Sequence, residues 1–351
     1  MESCRLVEQG FKKGSCLTFY KPENLYIPDY LQDTACKVTL KWEEGIPYRV
    51  IKSILLSRPE DYLSIYQSGC NLSCLKCHSW EFSQYRSGKW LSPDDIVKVA
   101  KDYTKFITVR EPKERATAFH AHDLCKHCGL CVRIGKRPKF CPNKLRPEQI
   151  LLSPQGFGPA RNIIAFTGGD LACQPEWYCQ IAEKIKGLNL DLWILFETNG
   201  YGLTPKNLDK FLESGIDSFW LDIKSYDKEI HKKLTGVEND WILKLPEEIL
   251  KRGFTLEVLS LYIPGWVESD QIKKIAKILA EVDTEIPFTI LAFFPQYKLR
   301  DVPAPNLNQM LEAYQAVKEV GLKNVRLGNI GIFVKTDEDY EALLKEASDA
   351  I

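Results

Sequence analysis

The sequence lacks the features that mark membrane proteins and nucleic-acid-binding proteins. Its 351 residues contain no apolar run near the roughly 20 residues that a membrane-spanning helix needs. The opening residues have no basic start followed by an apolar core, so we expect no signal peptide. Lys plus Arg and Asp plus Glu both total 47, so no global field would recruit a polyanion. These absences predict a soluble cytoplasmic protein with no membrane partner.

Cysteine, by contrast, is abundant, with 12 residues in the chain. In a long chain without an export signal, clustered thiols more often bind metals than form disulfides. Seven of the 12 fall into two tight groups, at 70–77 and 125–141. The other five carry no spacing signal and are expected to be structural, with no assigned function: Cys4, Cys16, Cys36, Cys173 and Cys179.

The order of apolar runs predicts an α/β fold. From residue 62 onward short strands alternate with helices, including helices at 93–103, 205–214 and 307–320, which indicates βαβ units and a parallel sheet. Six or seven strands are fewer than the eight of a closed barrel, so we predict an incomplete (β/α)6-type TIM barrel. The predicted division is a β-rich segment at 1–60 with strands at 37–42 and 48–56, a barrel at 61–104 and 161–335, a metal-binding insertion at 105–160, and a C-terminal helix at 336–351.

The first cysteine group predicts a metal site with one open position. Cys70, Cys74 and Cys77 have the spacing C-x3-C-x2-C and follow a predicted strand, where parallel sheets bind ligands. Structural zinc sites normally use paired C-x2-C groups and four ligands. Three thiols can instead hold three irons of a cubane and leave the fourth open. The alternative is a zinc loop completed by a distant cysteine or by His78.

This triplet, followed by a polar and aromatic stretch, resembles the radical SAM superfamily. The resemblance implies a [4Fe–4S] cluster whose open iron binds S-adenosylmethionine (SAM). It also implies oxidoreductase chemistry, in which reduction of the cluster splits SAM to a 5′-deoxyadenosyl radical that abstracts hydrogen. On this basis Cys70, Cys74 and Cys77 are the expected catalytic ligands, and His78 is a candidate for contact with the cofactor.

Three further segments, each at the end of a predicted strand, resemble motifs of the same superfamily. Residues 167–170 resemble its GGE motif, residues 196–200 its ETNG segment, and residues 221–224 the DIK segment of pyruvate formate-lyase activating enzymes. Taken singly, each could be a polar turn or a surface ion pair. Following successive strands, they should lie on one rim of the barrel. The implied SAM-side residues are Gly168, Gly169, Asp170, Thr198, Asn199, Asp222 and Lys224.

The second cysteine group predicts another metal site. Its pattern C-x2-C-x2-C-x9-C-P is similar to bacterial ferredoxins, although their last spacing is three residues. Four thiols could fill a second [4Fe–4S] cluster that relays electrons, and structural zinc is the alternative, with His120, His122 or His127 as a possible ligand. Residues 126–146 are basic and could dock an acidic electron donor or a polyanion, or be ordinary solvated surface. The four candidate ligands are Cys125, Cys128, Cys131 and Cys141.

The resemblance to activating enzymes implies that the radical acts on a glycine of a glycyl-radical partner protein. Ferredoxin or flavodoxin is the expected electron donor. Two alternatives stay open: radical modification of a peptide, an RNA or a small metabolite, and a non-enzymatic zinc or iron–sulfur interaction module. His231 is expected at the surface.

Overall fold

A computed structural model of the chain describes residues 4–22 and 29–351. Its strands, in chain order, are β1 Thr18–Tyr20, β2 Leu31–Asp33, β3 Leu40–Glu43, β4 Ile46–Leu56, β5 Leu63–Gln67, β6 Lys89–Leu91, β7 Leu151–Ser153, β8 Gly156–Gly158, β9 Ile163–Gly168, β10 Trp193–Thr198, β11 Ser218–Asp222, β12 Thr255–Tyr262, β13 Phe288–Ala292 and β14 Val325–Gly328. Its α-helices are α1 Arg5–Glu8, α2 Ala35–Thr39, α3 Trp80–Ser83, α4 Pro93–Tyr103, α5 Leu130–Arg133, α6 Glu176–Gly187, α7 Pro205–Ser214, α8 Lys228–Thr235, α9 Leu245–Lys251, α10 Ser269–Val282, α11 Leu307–Val320, α12 Ile330–Phe333 and α13 Asp337–Ala347.

One large sheet dominates the fold. Strands β5 and β9 to β14 pair in parallel, each beside the next in the chain, and β4, β3 and β6 extend the sheet antiparallel beyond β5. The helices between successive parallel strands are the crossovers that such strands require. Within the described ranges no ladder joins β14 to β5, so the sheet stays open. The predicted α/β class is confirmed, and the sheet does not form a closed barrel.

Both faces of the parallel sheet are buried, which explains why its strands are almost continuously apolar. On the helix side, Phe166 of β9 and Phe196 of β10 pack around the ring of Tyr178, with centroids 5.1 and 4.6 Å away. On the opposite face, Ala165 of β9 and Leu195 of β10 belong to a second apolar cluster. Alternate residues of one strand thus serve two different cores.

The cysteine-rich insertion covers the face of the sheet opposite the helices. Ser218 of β11 donates its hydroxyl hydrogen bond to the carbonyl of Ala116 at 2.7 Å. The indole of Trp193 in β10 donates to the carbonyl of Glu111, also at 2.7 Å. Residues 111–123 therefore form the floor of this face rather than a peripheral loop.

Arg161, which lies just before β9, binds this floor through its side chain. Its side chain is fully buried, pairs with the carboxylate of Glu111 and donates to the carbonyl of Thr117 at 2.7 Å. Removing one partner of a buried ion pair strands the other charge, so we expect Arg161→Met to lower the free energy of unfolding by about 3–5 kcal/mol. Urea denaturation would measure this loss.

The control for Arg161→Met is Lys105→Met, which removes an exposed ion pair between Lys105 and Asp102. Exposed pairs contribute about 0–1 kcal/mol, so this variant should unfold near the wild-type midpoint. Equal midpoints for the two variants would contradict the role assigned to Arg161.

The structure corrects two local predictions. Residues 35–39 form helix α2 where a strand was predicted from 37, and only β3 matches the second half of that run. A helix of five residues is too short to show a helical period, and its β-branched side chains suggest a strand. His231 was predicted at the surface but is fully buried on α8, with Nδ1 2.8 Å from the carbonyl of Val237. No helix among residues 4–22 and 29–351 is long and apolar enough to cross a bilayer.

Candidate functional site

The first cysteine group lies on the loop that follows β5, at the carboxyl edge of the parallel strands. Cys70, Cys74 and Cys77 are free, half-buried thiols. Burial raises the pKa of Cys70 well above its usual range and that of Cys74 to about 12. Cysteine binds metals as the thiolate, and burial of that negative charge is unfavourable. A bound cationic centre would offset this cost. The donor set therefore fits a thiolate-held cluster.

The Gly-Gly turn after β9 lies directly against this loop. The amide of Gly169 donates to the carbonyl of Gln67 at 2.8 Å. A Cβ atom at Gly169 would stand 2.2 Å from the carbonyl oxygen of Gly69, a separation that real Cβ atoms do not adopt. Gly168 has φ of 86°, in the left-handed region that glycine tolerates. Glycine is thus required where the two backbones meet.

Asp170 holds the neighbouring rim segment in place. One of its carboxylate oxygens accepts from the amide of Ala172 at 2.8 Å, and the other from Thr198 Oγ1 at 2.7 Å and the Asn199 amide at 3.0 Å. Both oxygens are therefore engaged within the protein. Asn199 in turn extends its Nδ2 to within 3.6 Å of Cys70 Sγ. Three of the predicted rim residues, Asp170, Thr198 and Asn199, thus form one connected network with the first cysteine group.

Asp222 and Lys224, at the end of β11, form an ion pair. Although burial opposes charge on Lys224, the carboxylate of Asp222 and the thiol of Cys74 raise its pKa above the ordinary value. Lys224 is therefore a cation held beside the cysteine loop. Asp222 Oδ1 is buried without a hydrogen-bond partner among the described residues, which leaves one acceptor available.

A cavity of about 960 Å³ opens beside this pair. His78, Asp222 and Lys224 line one end, whereas Trp220, Glu257 and Arg326 line the face of the sheet below them, so the cavity is an extended one. Its volume is within the range of sites for small ligands and cofactors. Phe119, Lys126 and Phe140 of the insertion form part of its wall.

Two comparisons with known proteins identify the family. Residues 121–272 match the Radical SAM superfamily, a span that includes β9 to β12 but not the loop at 70–77. The 4-hydroxyphenylacetate decarboxylase activating enzyme of Clostridium scatologenes is 33% identical over 253 residues, which are 65% of this chain and 76% of that enzyme. The chain belongs to the radical SAM superfamily. Its membership makes it an enzyme.

Other relatives are consistent with this radical SAM assignment. A Methanocaldococcus jannaschii protein, provisionally named as a glycyl-radical enzyme activating enzyme, is 33% identical over 165 residues, which are 46% of this chain and 59% of that protein. This alignment thus spans less than two thirds of the relative. The structure of Streptococcus suis SuiB bound to precursor peptide SuiA has a TM-score of 0.52 at 14% identity, covering 82% of this chain and 52% of that chain. That likeness concerns the fold alone.

The second cysteine group of this radical SAM chain surrounds a separate small cavity. All four of its cysteines line this cavity: Cys125, Cys128, Cys131 and Cys141. Two histidines that were possible zinc ligands face carboxylates instead, since His127 Nε2 is 2.8 Å from Asp61 Oδ2 and His120 Nδ1 is 3.0 Å from Asp123 Oδ2. Across the described residues, no group of three or more His, Cys, Asp or Glu side chains is arranged to hold a single metal ion.

Sequence reasoning missed a half-buried carboxyl group below the rim. Glu197 accepts hydrogen bonds from the Tyr62 hydroxyl at 3.0 Å and from Thr167 Oγ1 at 2.5 Å. Burial, reinforced by the nearby Glu60, raises the pKa of Glu197 to about 8. The motif that resembles ETNG contains this residue, but nothing in the sequence indicates that its side chain turns inward.

Glu197 should make the folded state less stable as pH rises. A carboxyl group whose pKa is raised binds its proton more tightly in the folded protein than in the unfolded chain. Its contribution to the free energy of unfolding is therefore present near pH 5 and is lost as pH rises through about 8. The wild type should lose free energy of unfolding between about pH 5 and pH 8. We expect this loss to be smaller by about 4 kcal/mol in the Glu197→Gln variant. Denaturant titrations at several pH values measure the slope. The exposed Glu213→Gln variant serves as the control, and a slope unchanged by Glu197→Gln would contradict the assignment.

Proposed function

We propose that the enzyme cleaves SAM reductively at a [4Fe–4S] cluster held by Cys70, Cys74 and Cys77. The observation that carries this proposal is the connected rim, in which Asp170 positions Asn199 and Asn199 contacts Cys70. When bound, the cluster supplies the electron that breaks a carbon–sulfur bond of SAM and yields a 5′-deoxyadenosyl radical. The protein contributes binding, orientation and exclusion of water.

In this proposal the remaining rim residues have separate tasks. Gly168 and Gly169 let the backbone of the β9 turn approach SAM, since neither presents a side chain. Lys224 supplies a fixed positive charge beside the thiols, and Asp222 offers its unpartnered oxygen to a donor group of SAM or substrate. His78 lines the same cavity and is a contact on the cofactor side.

We propose that the open sheet is an incomplete (β/α)6-type barrel. In this proposal the barrel comprises residues 61–104 and 161–335, preceded by the N-terminal segment 1–60 and followed by the helix at 336–351. The insertion at 105–160 then carries the second metal site.

We further propose that Cys125, Cys128, Cys131 and Cys141 hold a second [4Fe–4S] cluster that relays electrons from a ferredoxin or flavodoxin. The four thiols line one cavity, and their spacing is similar to that of bacterial ferredoxins, which favours a cluster over zinc. Soft thiolates are the ordinary ligands of such clusters. The basic segment 126–146 would attract an acidic donor protein.

Cys128→Ala tests this second cluster. Anaerobically reconstituted protein should lose the iron and sulfide of one cubane, about four of each, because Cys128 is one of four ligands. The SAM site should stay assembled, since Cys128 lies outside the network at Asp170. Loss of zinc with unchanged iron would overturn the proposal.

The substrate in this proposal is a glycine of a glycyl-radical partner protein. The support comes from the names of relatives, which include activating enzymes for 4-hydroxyphenylacetate decarboxylase and for pyruvate formate-lyase. The test has two stages. Protein reconstituted with iron and sulfide should release 5′-deoxyadenosine from SAM and a reductant, and no release from fully loaded protein would refute SAM cleavage. EPR should then show a glycyl doublet on the partner, and its absence while SAM is cleaved would refute only the substrate.

A further inference from the structure

Four cysteines that lie far apart in the sequence meet in the folded chain. Cys4 precedes α1, Cys16 precedes β1, Cys36 lies in α2, and Cys173 follows the rim segment that begins at Gly168. Cys173 is a buried member of a small apolar cluster separate from the main core, and the half-buried Cys4, Cys16 and Cys36 pack against this cluster. The other members of this cluster are Leu6, Phe11, Ala35, Leu171 and Tyr201.

The thiols of these residues are mutual neighbours. After burial and Asp170, the groups that raise the pKa of Cys173 are Cys36, Cys16 and Cys4. Burial raises the pKa of Cys16 as well, followed by the effects of Cys36 and, more weakly, Cys4. Cys173 therefore interacts electrostatically with the other three thiols, and Cys16 interacts with Cys36 and Cys4. All four are free, so they are available as ligands.

The N-terminal segment carries these cysteines to the rim of the sheet. Ser15 donates its hydroxyl hydrogen bond to the carbonyl of Thr235 at 2.6 Å and accepts from the amide of Ser73 at 2.9 Å. Arg5, at the start of α1, pairs with Glu176 at the start of α6. The segment therefore crosses the loops at the carboxyl edge and touches the loop that bears the first cysteine group.

We propose that Cys4, Cys16, Cys36 and Cys173 hold a third metal centre, a [4Fe–4S] cluster with four thiolate ligands. Thiolates are soft ligands that favour iron–sulfur clusters or zinc over harder metals. A cubane takes one thiolate on each of its four irons, so these four cysteines match the number of ligands that it needs. Binding would release the thiol protons to solvent, with iron and sulfide supplied from outside.

The chemistry of the surroundings fits such a cluster. The apolar side chains of Leu6, Phe11 and Leu171 pack around the site, and Lys13 supplies a positive charge that acts on Cys16. This proposal also assigns all but one of the 12 cysteines. The remaining one, Cys179 of α6, belongs to the main core, and its thiol donates to the carbonyl of Lys210 at 3.7 Å.

The first test removes the third site alone. Full-length Cys16→Ser/Cys36→Ser protein, reconstituted anaerobically with iron and sulfide, should bind about four fewer irons and sulfides than the wild type. Cys179→Ser is the matched control and should keep the full content. Unchanged iron in the double variant, or one zinc ion lost in place of iron, would overturn the proposal.

The second test isolates the site and does not depend on the stability of the double variant. A chain carrying Cys70→Ser, Cys74→Ser, Cys128→Ser and Cys131→Ser should still bind about four irons and four sulfides, with the spectrum of a cubane. Adding Cys36→Ser should remove them. A chain with four substitutions that folds but binds no iron would refute the third site. Because no SAM is present, this result is independent of SAM cleavage by the wild type.

Discussion

Cys74→Ala should abolish the release of 5′-deoxyadenosine from SAM. Cys74 lies in the middle of the loop after β5, beside the ion pair of Asp222 and Lys224. Losing an outer contact of a metal site already costs about 10–100-fold, so loss of a ligand should reduce the rate by more than about 100-fold. The measurement is 5′-deoxyadenosine formed per anaerobically reconstituted chain, with iron content determined on the same sample.

Cys179→Ala provides the comparison for Cys74→Ala, because its thiol lies on α6 and outside all three cysteine groups. It should keep both iron and activity. The pattern that would contradict the assignment is wild-type SAM cleavage by Cys74→Ala protein, since the loop would then have no part in holding the catalytic cluster.

Gly169→Ala should damage the same site through the backbone alone. The new Cβ would stand 2.2 Å from the carbonyl oxygen of Gly69 and 2.8 Å from that of Gln67. Both of these oxygens belong to the backbone and not to a flexible side chain. The turn after β9 and the cysteine loop must therefore move apart. We expect the free energy of unfolding to fall by about 1–3 kcal/mol, as for other overpacked sites, with a loss of iron and of SAM cleavage. Denaturant unfolding and iron analysis measure the two effects.

Gly187→Ala is the matched substitution for Gly169→Ala. Gly187 ends α6, and no described atom lies within 4 Å of the position of its Cβ. Alanine at a helical position stabilises by about 0.5–1 kcal/mol relative to glycine, so this variant should be at least as stable as the wild type. If Gly169→Ala retained full iron and stability, the close approach of the two backbones would not matter for the site.

The parts of the fold that were predicted correctly are those with strong local signals. Helices α7 and α11 begin and end at the predicted residues because each has an N-terminal cap, at Thr204 and Asn306, and a glycine in the left-handed region after its end. Helix α8 was not predicted, although Asp227 caps it. Its eight residues carry too few apolar side chains to show a period.

The candidate site likewise has parts that could be predicted from the sequence and parts that could not. The groups at 70–77 and 125–141 could be predicted as candidate metal sites because their cysteines are close together in the sequence. The cysteine cluster formed by Cys4, Cys16, Cys36 and Cys173 could not be, since folding alone brings its members together. The sequence also does not indicate that both carboxylate oxygens of Asp170 accept hydrogen bonds from other residues of the protein.

The position of residues 111–123 limits how the cysteine-rich insertion could be exchanged between proteins. A segment can be moved between proteins as a unit only if the protein from which it is removed still folds. Here the excised piece would take with it the floor of the sheet, including Glu111, and would leave Arg161 as a buried unpaired charge. A viable graft therefore has to begin after the floor, near Leu124, and replace only the lobe that carries the cysteines. Changes in the cysteine-bearing lobe should leave the sheet folded, because the floor has its own hydrogen bonds to β10 and β11.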